Sequence, residues 1–407
     1  MTQPRWLGVL VSFAIIVAAV CVVPIVPARA CLWDSDTLRM EAKAFPGLAE
    51  ILTGRIERFP ARYYQMRLER VAALVTQQPG VLEHYDDLGV VCDRLGRSDE
   101  AVEWMRRKLE AMKGLPESAA VKEHRYRYHA NLGTFLAHRW LRAGAKGATT
   151  DELADLKAGR DEIRAAIAIN PDAHFGRERT QLAAMEWLMT ARSGAAFEYE
   201  SIMDVQAESD PEWTIDSARA KKLDEAVKGL SGLIVLGDAW ESVDVHYALE
   251  QALRARGDAS MAELAFLRRK ELIEGGMRSL HVRYDATLTE HAKRLHPGSL
   301  LGVGERHAAT LAEYFGNARM LALAWSMARA EFMEKKLGAG EHPDVQGELF
   351  WSGWNDLPKP PRMPERSWME VIGADAVALT ITVAVGAVMG CVFVVVLRRV
   401  RRGFGSN

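Results

Sequence analysis

Few residues in this chain could do chemistry. His291 and His296, in HAKRLHPG, come nearest to a metal pair. Their five-residue spacing turns them to different faces of a helix. Two imidazoles sharing one metal on a helix need a four-residue spacing and usually a carboxylate, as in H-E-x-x-H. Surface histidines are the plainer reading. Gly302-Val303-Gly304 lacks the third glycine and the preceding strand of a dinucleotide turn, and reads as a loop. Neither a G-x-S-x-G nucleophile turn nor a G-x-x-x-x-G-K phosphate loop occurs. The chain is therefore expected to be no enzyme and to use no cofactor or metal.

The sequence has four cysteines. Cys21 and Cys391 fall in apolar terminal runs, which leaves Cys31 and Cys92. In an oxidising compartment these two could form a disulfide. Alternatively Cys92, which falls on an apolar helical stripe, packs as a small apolar thiol with no partner. Lys and Arg total 52 against 54 Asp and Glu, a net charge of −2, so no nucleic-acid partner is expected. The runs Arg106-Arg107-Lys108 and Arg268-Arg269-Lys270 carry no interleaved aromatics and are expected on a solvated outer face.

The two ends give an address. Residues 1–30 have one arginine, an apolar run from Trp6 to Val26 and a small-x-small ending at Ala28 and Ala30, the layout of a secretory signal peptide. The run is long enough to be a retained anchor instead. Cys31 as a lipoprotein site is a minor option, because the preceding residues lack a leucine lead. From Ala376 to Leu397 there is no charged residue, and a helix of that length reaches about 33 Å, enough to span a bilayer core. Arg398, Arg399, Arg401 and Arg402, in the tail 398–407, should remain cytoplasmic. The expectation is a single-pass protein in contact with a lipid bilayer, its large region exported, in a bacterial setting to the periplasm. Gly386 and Gly390 have the small-xxx-small spacing that lets two membrane helices approach, so a homodimer through them is an alternative structural role.

What lies between must be built of helices, since alanine, leucine, glutamate and arginine dominate and β-branched runs keep to the ends. Residues 31–78 read as an N-terminal helical cap. In YDDLGVVCDRLGRSDEAVEWM, Tyr85, Leu88 and Cys92 share one face, with Gly89 beside them. Gly96 stops the helix, Ser98 or Asp99 caps the next, and Ala101, Trp104, Met105 and Leu109 line the second helix. YRYHANLGTFLAHRWL repeats the close-packing pair as Leu132-Gly133, and its second helix follows after an inserted AGAKGATT, with Ile163, Ala166, Ile167 and Pro171. Residues 79–172 thus hold two helix pairs and 173–240 a helical connection, in which 194–213 has no clear period. Residues 241–337 hold a third pair, with Tyr247, Leu249 and Leu253, a Gly257-Asp258 turn, and Ala262, Phe266 and Leu267. There Glu250 replaces the close-packing glycine and should set the helices slightly further apart. A degenerate pair closes that region, with a turn expected at Gly316-Asn317. Pro358, Pro360, Pro361 and Pro364 predict an extended spacer over 338–370 that holds the array off the bilayer, with Trp368 as its interfacial anchor.

The pattern Tyr85, Leu88-Gly89, Gly96, Asp99-Glu100-Ala101 resembles the tetratricopeptide repeat. Cys92 stands where that family has tyrosine, and the closing proline comes late, at Pro116. The resemblance implies an all-α array of helix pairs, an α-solenoid, that binds a peptide or protein partner. It further implies that the partner contacts lie on the first helix of each pair: Glu83, Asp86, Asp93 and Arg94, then Arg127, Thr134 and His138, then Asp244, Tyr247, Gln251 and Arg254. These mixed charges do not reproduce the family's lysine and asparagine carboxylate clamp.

Overall fold

The computed structural model describes residues 34, 46–143, 153–171, 177–193, 199–237, 239–294 and 304–365. The apolar ends, Cys31, the inserted AGAKGATT after its first alanine, His296, Trp368, Gly386 and Gly390 lie outside them. Every regular element among the described residues is helical, and no described helix is long and apolar enough to cross a membrane.

A short helix α1 (Leu48–Thr53) precedes α2 (Ala61–Gln77), α3 (Glu83–Arg94), α4 (Ser98–Met112), α5 (Ala119–Arg142) and α6 (Ala154–Ile169). Then follow α7 (Arg177–Ser193), α8 (Ile202–Ser209), α9 (Asp216–Val235), α10 (Val243–Arg256), α11 (Ala259–Glu274), α12 (Val282–Arg294), α13 (Glu305–Gly338) and α14 (Pro343–Gln346). From α2 to α7 each helix packs on the next in sequence, and α3 also packs on α5.

Turn chemistry sets the pairs. Gly96 and Gly257 have φ of 77° and 85°, the left-handed conformation that lets each chain reverse after α3 and α10. Asp258 caps α11 by accepting from the Met261 amide at 3.3 Å, whereas α4 starts at Ser98 with no side-chain cap from Ser98 or Asp99. At the α5–α6 crossing two backbones come together. A Cβ on Gly133 would stand 2.7 Å from the Gly159 carbonyl oxygen, and one on Gly159 the same distance from that of Gly133. Between α10 and α11, Glu250 is buried and accepts from Arg269 Nε at 3.0 Å, so an ion pair occupies the slot that glycine fills elsewhere.

Most of the expected packing residues are buried: Tyr85, Leu88, Gly89, Cys92, Ala101, Leu132, Gly133, Ala166, Leu249, Ala262 and Phe266. Gly257 and Pro171 are exposed, because one makes a turn and the other follows the end of α6 without entering a core. Leu109 is also largely exposed. Cys92 is a free thiol with no solvent access, and burial pushes its pKa up to about 12. It packs with Val90, Met105 and Phe135.

Three expectations are corrected. Gly316-Asn317 makes no turn, and α13 runs unbroken for 34 residues. Leu311, Phe315, Ala318, Ala322, Trp325, Arg329, Met333 and Leu337 bury one continuous face across the glycine, which outweighs its cost of about 1 kcal/mol relative to alanine. The described part of 194–213 is no plain connection, since Ser201 and Asp204 form a capping box that starts α8. The proline segment is extended but lies against the array rather than spacing it away. Arg55 donates to the carbonyls of Leu357 at 2.7 Å and Pro358 at 3.0 Å, and Trp325 donates to Asp356 at 2.6 Å. Trp351 stacks on Phe332, and Met363 packs near Ala308 and Leu311.

The last elements also return to the first. Tyr63 of α2 shares a core with Met333, Leu337 and Phe350. The buried Arg67 guanidinium lies 3.3 Å from Asp34, 3.0 Å from Asp87 and 3.3 Å from Asp344. Arg329 donates to the Arg58 carbonyl at 2.8 Å.

Candidate functional site

The structure corrects the expected partner-binding set, because most of it faces inward. Asp86, Asp93, Thr134, His138, Asp244 and Tyr247 are buried. Asp93 bonds His138 Nδ1 at 2.7 Å and Arg142 Nη1 at 2.7 Å. Burial pushes the Asp93 carboxyl up, but His138 and Arg142 outweigh it and hold it well below the usual carboxylate range. Asp86 accepts from Lys108 at 2.6 Å and from Asn131 at 3.1 Å; burial raises its pKa to about 6 against the pull of the ammonium. Thr134 accepts from Gln181 Nε2 at 2.8 Å, and Asp244 from the Leu280 amide at 2.9 Å. Tyr247 donates to Glu200.

The physical reason is coverage. These side chains point off the apolar stripe, yet α4 and α5 pack over Asp86 and Asp93, α7 reaches Thr134, and the segment before α12 covers Asp244. Arg94, half-buried, donates to the Leu236 carbonyl at 2.7 Å, tying the end of α3 to the end of α9. Only Glu83 and Arg254 of the set are well exposed, with Arg127 and Gln251 half-buried. The eleven residues therefore do not form one open groove.

The basic runs divide in the same way. Arg106 and Arg107 are exposed, but Lys108, Arg268 and Arg269 are buried, contrary to the expected outer face. Arg268 lies 3.8 Å over the Trp240 ring and donates to the Trp240 carbonyl at 3.1 Å. His246 Nε2 bonds that same carbonyl at 3.1 Å, and burial, with Arg268 nearby, lowers its pKa to about 3. Glu263 is wholly buried with no hydrogen-bond partner on either carboxylate oxygen, and burial raises its pKa to about 8.

An open site exists elsewhere. Between α6, α7, α8 and α9 runs a cleft of about 450 Å³ that continues past Arg164, Glu186 and Ser209 into a second hollow of about 430 Å³. Its walls carry both signs: Arg164, Arg179 and Lys222 against Glu186, Asp210 and Glu225. Lys222 bonds Asp210 at 2.7 Å and Glu212 at 2.8 Å, and these carboxylates raise its pKa. On the floor, Gln206 donates from Nε2 to Thr180 at 2.9 Å, while its buried Oε1 has no hydrogen-bond partner. Trp213, Leu182 and Ala183 add apolar wall. The arrangement can hold an extended segment by ion pairs at the rim and one hydrogen bond at the floor. No described cluster of histidine, cysteine and carboxylates could hold a metal.

Sequence reasoning missed this cleft, because one wall is built from the stretch without a clear period and the others from helices α6, α7 and α9 that meet only in the folded chain. The Ser201-x-x-Asp204 cap was the available signal for α8. Comparison with protein-family models, with curated proteins and with solved structures gave no match. The described residues form an all-helical fold in which successive helices pack on one another from α2 to α7.

Proposed function

We propose that this chain is a membrane-tethered interaction scaffold, in which a tetratricopeptide-like helical array on the exported side binds a peptide or protein partner. The helix-pair pattern and its glycine turns support the repeat reading, and Ala376–Leu397 with the arginines after it supports the tether. The binding site is the cleft between α6 and α9, not the inward faces of the first helices. The observation that carries this is an open cleft with charges of both signs on its walls and an unpartnered buried carbonyl, Gln206 Oε1, at its floor. A partner's backbone N–H satisfies that acceptor, and its charged side chains exchange with the rim pairs.

The test is affinity capture by the full chain in detergent, comparing it with Arg164→Glu combined with Glu225→Lys. Both positions lie at the rim, so helicity should be unchanged. Loss of one reproducibly captured partner, with affinity reduced at least tenfold, is expected. Capture unaffected by the double substitution would place recognition elsewhere.

A further inference from the structure

Hydrogen-bonding capacity is unevenly spent in the cleft between α6 and α9. Its cations are committed: Arg160 donates to Asp161 at 2.8 Å, Arg164 donates to Glu186, and Lys222 meets Asp210 at 2.7 Å and Glu212 at 2.8 Å. Arg179 is engaged as well. The acceptors are not. Glu225 has only Lys221 at 3.7 Å and Lys222 at 3.8 Å, beyond hydrogen-bond reach. Glu186 receives Arg164 on Oε1, which leaves its second oxygen open. Gln206 is only 8% exposed, and its Oε1 has no partner.

Glu186 lies on α7, Gln206 on α8 and Glu225 on α9, and all three line the same space of about 450 Å³. Two carboxylates at a surface are ordinary, but a buried acceptor left open beside them is not. A surplus of acceptors over free cations calls for a ligand that donates and carries positive charge. The rest of the wall narrows the choice. Trp213, Ile167 and Leu182 are half-buried and apolar, a surface that the aliphatic stem of a long basic side chain covers. A guanidinium also lies flat on an indole, and its planar fork of five donors can serve two carboxylates at once, which a compact ammonium does less well.

We propose, on the reading that this cleft is the partner site, that the bound segment presents an arginine whose guanidinium pairs with Glu225 and the open oxygen of Glu186. Its stem lies along Trp213 and Ile167. Gln206 Oε1 takes an amide N–H of the bound backbone, so one hydrogen bond holds the segment and the arginine sets its register.

The experiment titrates the full chain in detergent, by calorimetry, with a capped pentapeptide of one arginine flanked by two alanines on each side. The same peptide with citrulline, lysine or glutamate in place of the arginine completes the series. Citrulline keeps the shape and removes the charge. The arginine peptide should bind once per chain, the citrulline and glutamate forms about tenfold more weakly or worse, and the lysine form about threefold more weakly. Glu186→Gln with Glu225→Gln should weaken the arginine peptide by about tenfold and leave the citrulline peptide unchanged, with unaltered helical circular dichroism. An arginine peptide that does not bind, that the citrulline, lysine or glutamate form equals, or that survives the double substitution overturns the proposal. The cleft itself fails as the partner site only if capture survives Arg164→Glu with Glu225→Lys, so the two failures are distinguishable.

Discussion

The α5–α6 and α10–α11 pairs fill the same slot of one sequence pattern in opposite ways. In the first, Gly133 and Gly159 bring two backbones together, and there is no room for a Cβ at either position. In the second, Glu250 and Arg269 meet at 2.9 Å with almost no solvent access. A glycine contact is vulnerable to added volume. A buried ion pair is vulnerable to losing one member, because the other is left charged and dry, whereas losing both can be nearly neutral. Close packing of helix pairs therefore does not depend on one kind of residue, and the second pair has no Leu-Gly marker because it does not use one.

The largest expected effect comes from breaking the ionic pair. Arg269→Met should destabilise the protein by about 3–5 kcal/mol in urea unfolding, and Glu250→Leu added to it should restore most of the loss. A double variant as unstable as the single one would show that Arg269 acts chiefly through its contacts to Tyr247 and Phe266.

Next is pH. Glu263 adjoins the same pair, and its folded pKa of about 8 exceeds the ordinary 4.5. The folded chain keeps a proton that the unfolded chain releases between those values. Its contribution is complete below about pH 4.5 and is lost as pH rises toward 8, a change on the order of 5 kcal/mol. Glu263→Gln should flatten the stability profile across that window, and an unchanged slope would assign the dependence to other groups.

In the glycine pair, Gly133→Val should cost about 1–3 kcal/mol, since the Gly159 backbone cannot move aside as a flexible side chain would. A neutral result in thermal unfolding would mean that the α5–α6 crossing is looser than its geometry. The smallest effect belongs to the exposed neighbour of a buried cation: Arg106→Gln should change stability by less than about 0.5 kcal/mol. Lys108→Met, two residues away, strands Asp86 and should behave like Arg269→Met.

The legible parts of the fold were those written locally. Tyr85, Leu88 and Cys92 share a face by spacing alone, and Gly96 and Gly257 occupy turns where φ must be positive. Gly159 was missed because a glycine inside LKAGRDEIR has no local marker, and its role exists only opposite Gly133. Helix α8 was missed because eight residues are too few to show a period. The turn expected at Gly316-Asn317 followed local propensity, which the continuous buried face of α13 overrides.

The sequence by itself determined the helical class, the pairing of helices about their glycine turns, and the absence of any catalytic motif, because these depend on neighbours a few residues apart. Only the tertiary structure decided which polar residues face water. Asp86, Asp93, His138 and Asp244 sit off the apolar stripe of their own helices, yet neighbouring elements cover them and supply their partners: Lys108 and Asn131 for Asp86, Arg142 with His138 for Asp93, and the Leu280 amide for Asp244. A helical face has no inside until something packs on it, so the open cleft between α6 and α9 emerged only from the assembled chain.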